Sequence, residues 1–224
     1  MQQNSKEVIC KNCVMDTTDS KIIFDQNGIC DHCNTFYKKI LPTWDMIRND
    51  KSYLENELIK IKAKSKRKDY DCIIGVSGGI DSSYLLYLAV KKFELKPLVF
   101  HVDAGWNSQI AVSNIEKLID GLNLDLHTEV INWETMKELQ LSFFKSGVPH
   151  IDAPQDHAFF ASMYGFSSKY NVKTILTGGN YSTECVRNPL KYFYYGTDMK
   201  HINYIRKNYG ANNLPSYPFS SIVR

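Results

Sequence analysis

The chain has 224 residues, with 27 Lys plus Arg against 24 Asp plus Glu and a formal charge of +3 at pH 7. That length holds one ordinary α/β domain plus a small module and excludes two large domains; so mild a charge gives no electrostatic argument for nucleic acid. Gln2-Gln3-Asn4-Ser5-Lys6-Glu7 is no apolar signal core and nowhere do eighteen apolar residues run together, so a soluble, cytoplasmic protein without membrane contact is expected.

In a reducing compartment, six cysteines are metal ligands or reactive thiols rather than disulfides. Their spacing decides: Cys10-x2-Cys13, sixteen intervening residues, then Cys30-x2-Cys33 fits a four-cysteine zinc site. Each pair is a short knuckle that aims two thiolates at one point, and two knuckles complete a tetrahedron with no open position for water, hence a structural metal. His32, beside Cys33, is a spectator when four cysteines are available. Lys21 to Asp25 followed by Gln26-Asn27-Gly28 predicts a strand and a hairpin turn. Cys72 and Cys185 complete no further pair.

Phe36 to Met46 predicts a short helix interrupted at Pro42, and Ser52 to Lys62 carries Leu54, Leu58, Ile59 and Ile61 at helical spacing. Lys60 to Lys68 is the one strongly basic stretch, read as a solvated helix end and linker. Beyond it, strands and helices alternate. A buried strand to Val76 leads to a helix over Ser82 to Phe93; Pro97 to Val102 is a second strand and Ile110 to Leu122 a second helix. Leu124 to Ile131 is strand-like, Met136 to Phe144 and Asp156 to Tyr170 are helical, and Lys173 to Thr177 is a last strand. The pattern predicts an α/β fold with a doubly wound parallel sheet, preceded by a small zinc ribbon. The expected division is a ribbon over 1–40, a helical linker over 41–68 and the sheet domain over 69–224, whose carboxy terminus is expected to be shortened.

In such sheets ligands bind at the carboxyl ends of the strands. The first strand ends in Ser77-Gly78-Gly79-Ile80-Asp81-Ser82-Ser83. Two glycines leave no Cβ in the way, so successive backbone N–H groups can point into one concavity at a helix start, an anion site. Asp81 is then placed for magnesium and the Ser77, Ser82 and Ser83 hydroxyls for phosphate oxygens. Nothing fits the Walker pattern with its Lys. The run instead resembles the pyrophosphate loop, S-G-G-x-D-S, of the N-type ATP pyrophosphatases. That resemblance implies an adenine nucleotide alpha hydrolase-like fold, and ATP cleaved to an adenylate and pyrophosphate, with Asp81 and Ser82 at the reacting phosphates and Gly78 and Gly79 cradling them. At the second strand end, His101 and Asp103 are candidates to line the adenosine, or simply satisfy backbone groups there. The segment Thr177-Gly178-Gly179-Asn180-Tyr181-Ser182-Thr183-Glu184 is similar to a Gly-rich stretch of ammonia-dependent NAD synthetases. On that likeness Thr177 and Gly178 contact ATP and Glu184 helps Asp81 hold magnesium.

With Cys10-Lys11-Asn12-Cys13-Val14-Met15-Asp16 and Gly28-Ile29-Cys30-Asp31-His32-Cys33 ahead of the loop, the chain resembles the N-acetyl sugar amidotransferases of lipopolysaccharide, surface-polysaccharide and nonulosonic acid biosynthesis. The resemblance implies that ATP adenylates an acetamido oxygen and ammonia displaces AMP to leave an acetamidino group, as in O-antigen and flagellin-glycan sugars. It also implies that ammonia comes from a separate glutaminase partner similar to the glutaminase and cyclase subunits of imidazole glycerol phosphate synthase. Asp152 to His157 is expected to face the sugar, with Asp156 alternatively a helix N-cap; Arg187, Lys191 and Tyr192 to Tyr195 meet substrate or pack a carboxy-terminal helix. Two alternatives stand beside this: a tRNA-thiolating enzyme, which would need a sulfur-carrying cysteine pair or cluster near the adenylate, and an ATP-binding subunit without a complete active site.

Overall fold

The computed structural model describes residues 7–179 and 198–210. They form two compact units, residues 7–56 with Gly179, and 57–178 with 198–210.

In the first unit the two cysteine knuckles face each other. Cys10 N donates to Met15 O at 2.8 Å and Ile9 bridges Asp16. The predicted turn is present, with Asp25 Oδ1 accepting from Asn27 N at 2.9 Å and Ile29 N at 3.0 Å. The predicted strand is not: over Lys21 to Asp25 only Phe24 pairs, in an isolated bridge to Cys30. Loops this short close on carboxylates and sulfurs, as Asp16, Asp19 and Asp25 each accept from a backbone N–H two residues on. Helix α1 (Asp31–Thr35) starts on Cys30, whose Sγ accepts from Cys33 N. It passes through a wide turn, Phe36–Ile40, in which Leu41 N reaches back five residues to Phe36 O, into α2 (Leu41–Asn49). Contrary to expectation the helix is not broken at Pro42, which sits in the first turn of α2, where its missing N–H leaves nothing unpaired. Helix α3 (Lys51–Ser65) spans the division between the units.

The second unit is built on four parallel strands in the order β3-β2-β1-β4: β1 (Cys72–Gly75), β2 (Pro97–Asp103), β3 (Leu126–Val130) and β4 (Ile175–Leu176). The central strands read as unbroken apolar runs because both faces are covered. Cys72, Ile74 and Val99 pack with Leu86 and Ala89, from α4 (Ile80–Tyr87) and the wide turn Leu88–Lys92 that continues it, and with Ile115 and Ile119 of α5 (Gln109–Leu122). Ile73, Leu98, Phe100 and Val102 face the other way, onto Met163 of α7 (Ala153–Lys169). The doubly wound parallel sheet expected from the sequence is therefore the fold. Helix α6 (Trp133–Ser146) buries Leu139 and Phe143 against Ile202 and Ile205 of α8 (Met199–Tyr209).

Two boundaries differ from the sequence pattern. β4 has two residues, not the five of Lys173 to Thr177. Helix α7 starts at Ala153, with Pro154 tolerated in its first turn, so Asp152 and not Asp156 holds the N-cap position. The Asp156 carboxylate instead meets His150 Nε2 at 3.1 Å. No helix among the described residues is long and apolar enough to cross a membrane.

Leu98 is fully buried in the sheet, whereas Ile59 on α3 is 66% exposed. Leu98→Ala should lower the unfolding free energy by about 2–5 kcal/mol, and Ile59→Ala by less than about 0.5 kcal/mol, both read from urea midpoints with unchanged slopes.

Candidate functional sites

Strand β1 gives way to the helix α4 over Ser77 to Gly79. Val76 N still bonds across to Phe100 O at 2.9 Å, and the chain then turns at Gly78, whose φ is +76°. This glycine is required twice over. A Cβ there would lie 2.4 Å from Ala111 O and 2.7 Å from Ala111 Cα, both backbone atoms of α5 that cannot step aside. Asn114 on the next turn of α5 donates from Nδ2 to Gly78 O at 3.1 Å, so one helix braces the loop by contact and by hydrogen bond.

Inside the loop the hydroxyls hold the backbone. Ser82 Oγ accepts from Ser77 N at 3.3 Å and donates to Gly79 O at 3.3 Å; Ser83 Oγ donates to Gly79 O at 2.7 Å; Ser77 Oγ accepts from Gly79 N at 3.4 Å. No side chain caps the N-terminus of α4 at Gly79. Its first-turn N–H groups and the positive end of the helix therefore face outward beside the exposed carboxylate of Asp81, an arrangement suited to phosphate with a bound cation. Gly178, following β4, packs on the same helix start, where a Cβ would come within 3.0 Å of Asp81 C. Thr177 beside it is exposed. Glu184, with Arg187, Lys191 and Tyr192 to Tyr195, lies outside the described residues.

Next to the loop a cavity of about 430 Å³ opens at the carboxyl ends of β1 and β2. Ser77 and His101 form part of its rim; Phe100, Val102, Phe159 and Met163 are among its walls. His101 has no free ring nitrogen. Val76 O can only accept, so the contact at 2.8 Å makes Nδ1 the protonated nitrogen, and Nε2 then accepts from Asn107 Nδ2 at 3.0 Å. The imidazole thus ties the residue before the phosphate loop to the segment after β2. Asp103 does not line the cavity; its Oδ1 accepts from Gly105 N at 2.9 Å. The same segment is anchored on α6, where Trp106 Nε1 donates to Gln140 Oε1 at 2.7 Å and its ring meets Trp133 edge-on at 5.2 Å. Ala111, Asn114 and Asn107 carry no motif that the sequence could have offered. The walls of α7 did leave one trace, since 155, 159 and 163 recur every four residues.

The second site lies in the first unit. The four thiols of Cys10, Cys13, Cys30 and Cys33 all fall within 4.8 Å of one another, with Cys10 to Cys33 at 4.0 Å and Cys13 to Cys30 at 3.7 Å. A single tetrahedral ion with bonds of about 2.3 Å sets its sulfurs about 3.8 Å apart. The cage fits one ion; a core of several irons and sulfides would hold the thiolates farther apart. Donors surround the sulfurs, with Asn12 N and Cys30 N directed at Cys10 Sγ and Asn12 Nδ2 at Cys33 Sγ. His32 is turned elsewhere, to Asp19 at 3.0 Å. Burial pushes the Cys10 thiol up, but the backbone N–H groups of Asn12, Cys30 and Cys13 more than offset it and bring its pKa down to about 6. At Cys13, Cys30 and Cys33 burial prevails and the pKa is raised. Cys72, inside β1, is pushed up to about 12 by burial.

Residues 71–151 match the family model of the phosphoadenosine phosphosulfate reductase domain. An uncharacterized protein of Methanocaldococcus jannaschii is 32% identical over 122 residues, 54% of this chain and 40% of that protein, so the match spans less than half of the relative's length. Among solved structures, the ammonia-dependent NAD synthetase from Campylobacter jejuni is similar over 68% of this chain and 70% of its own, at 17% identity and a TM-score of 0.45. A U34-tRNA thiolase from Methanococcus maripaludis, solved with its 4Fe-4S cluster, aligns over 96% of this chain and 79% of its own, at 11% identity and a TM-score of 0.27. Residues 71–151 thus form a domain similar to that of the phosphoadenosine phosphosulfate reductases, within an α/β fold like that of the adenine nucleotide alpha hydrolase-like proteins.

Gly78→Ala should lower the unfolding free energy by about 1–3 kcal/mol, since the added Cβ meets the Ala111 backbone at a φ of +76°; urea midpoints measure it, with circular dichroism reporting a retained fold. For the cysteine site, protons compete with metal, so affinity rises with pH. Each thiol that is protonated before loading gives up its proton to become a ligand, so loading one divalent ion should release more protons at about pH 6 than at about pH 9, counted by calorimetry in buffers of different ionisation enthalpy.

Proposed function

We propose that the chain is an ATP-dependent amidotransferase, forming AMP and pyrophosphate, that converts the acetamido group of an N-acetyl sugar to an acetamidino group. The observation that carries the ATP half is the Ser77–Ser83 loop, an uncapped helix start braced by α5 beside an apolar cavity with room for a nucleoside. Supporting it is the match of residues 71–151 to an adenine-nucleotide domain family. The sugar half rests on the resemblance carried by the cysteine knuckles and the loop together.

The chemistry explains why such a loop is needed. An amide carbonyl is a poor electrophile and its oxygen a poor leaving group, so the oxygen must first be capped. The acetamido oxygen attacks the α-phosphorus, the bond to the bridging oxygen breaks, and pyrophosphate departs. The loop N–H groups and the helix start hold that leaving group in line and offset its growing charge. Asp81 would hold magnesium, which would neutralise further charge on the phosphates. Ammonia then adds to the imidate carbon, loses a proton, and AMP leaves with the former carbonyl oxygen. Free ammonia is scarce at neutral pH, which favours a separate glutaminase as its source.

The cysteine quartet would hold a structural zinc ion, since all four ligands close on one point and leave no position for a substrate. This also weighs against sulfur transfer. Among the described residues the only other thiol is Cys72, and burial keeps it protonated and unreactive.

Purified protein incubated with ATP, magnesium and ammonia should produce AMP and pyrophosphate only when an N-acetylated sugar is present. Dependence on bulk tRNA instead would favour the thiolase reading, and ADP as the product would refute both. Asp81→Asn should lower AMP formation at least a hundredfold with the fold intact, because the cation then lacks its carboxylate; unchanged turnover would remove Asp81 from the site.

A further inference from the structure

The cavity beside the phosphate loop has walls of Phe100, Val102, Phe159 and Met163, and its polar side chains other than Gln155 each have a hydrogen-bond partner in the protein. His101 donates to Val76 O and accepts from Asn107 Nδ2. Trp106 Nε1 is bonded to Gln140, and Ser108 Oγ accepts from Ala111 N as the cap of α5. Gln155 stands apart. It lines the cavity from the first turn of α7, one helical turn before Phe159 and two before Met163, and among the described residues its carboxamide makes no hydrogen bond. A half-buried amide on an otherwise apolar helix face, with both its donor and its acceptor unspent, is what a hydrogen-bonding ligand would complete.

We infer that Gln155 is the residue that reads the nucleotide base. This rests on the reading that ATP occupies the loop. The walls suit the two faces of a purine and offer nothing to the many hydroxyls of a sugar, which assigns the cavity to the base and moves the sugar out of it. A purine bearing an exocyclic amino group presents a donor next to a ring-nitrogen acceptor, and a carboxamide is the one neutral side-chain group that answers both at once. Oε1 accepts from the amino group while Nε2 donates to the ring nitrogen. On the edge that carries N7, a guanine offers two acceptors, O6 and N7, which a carboxamide cannot satisfy in either orientation, so on that edge the same residue selects for adenine over guanine. The sequence places Gln155 among residues expected to face the sugar; its position on the wall of the cavity reassigns it.

The test uses the intact chain and three nucleotides, ATP, GTP and purine riboside triphosphate, which lacks the amino group. Their dissociation constants are measured for the wild type, for Gln155→Leu and for Gln155→Met, which keeps the side-chain length should the leucine pack badly. The wild type should bind ATP about tenfold more tightly than purine riboside triphosphate or GTP. Either variant should lose about that factor more for ATP than for purine riboside triphosphate, which forfeits only the ring-nitrogen bond, so the ratio collapses toward one. A merely structural role would weaken all three nucleotides alike, and that result, or an unchanged ratio, overturns the assignment. A wild type that binds ATP and keeps its preference in both variants refutes Gln155 alone. A wild type that binds none of the three refutes the ATP reading along with it.

Discussion

The close approach of Gly78 to Ala111 sets the terms for the rest of the sheet unit. A turn with φ near +76° against the backbone of a neighbouring helix admits no side chain, and the Asn114 hydrogen bond to Gly78 O ties the loop to α5 at that point. The residues that follow then have one available path. Ser82 and Ser83 close on Gly79 O, α4 starts without a side-chain cap, and Asp81 is left outside at its first turn. The loop is thus organised before any phosphate arrives, which is the condition under which fixed dipoles are most effective. A parallel sheet buried on both faces makes this possible, because β1 and β2 end at the same level and deliver the loop and the cavity side by side.

The cysteine unit depends on a different force. Its described residues have almost no ladder hydrogen bonds and a small apolar cluster made largely of the sulfurs themselves with Met15, Ile22 and Phe24. What organises it is the convergence of four thiols, each knuckle being stiffened by carboxylates that accept from backbone N–H groups two residues on. A module of this size is expected to fold with its metal rather than before it.

Much of this was legible in the chain. The strand-then-glycines pattern located the loop because a buried parallel strand and an anion-binding turn both leave strong local signals, and the cysteine spacing located the cage for the same reason. What failed to show was whatever depends on partners distant in sequence. Nothing in Ala111 or Asn114 announces that they press on a loop more than thirty residues earlier. Pro42 reads as a breaker because proline's effect depends on which turn of a helix it occupies, and a wide turn supplied a harmless position. The strand at Lys21 to Asp25 reads as extended because its residues favour extension, yet a strand needs a neighbour, and the knuckles offer it only one bridge. His101 and Asp103 drew notice as polar residues at a strand end, and both turn out to bind protein groups.

The chain running from Ala104 to Asn114 joins two functions in eleven consecutive residues. Its first part rims the cavity and is tied through Asn107 to His101, and its last part grips the phosphate loop. Coupling between an occupied loop and an occupied cavity would run through this segment, and by thermodynamic reciprocity it would change both affinities by the same factor. The two halves of a nucleotide would then bind cooperatively when joined, and a nucleoside and a free pyrophosphate would each report on whether the other is present.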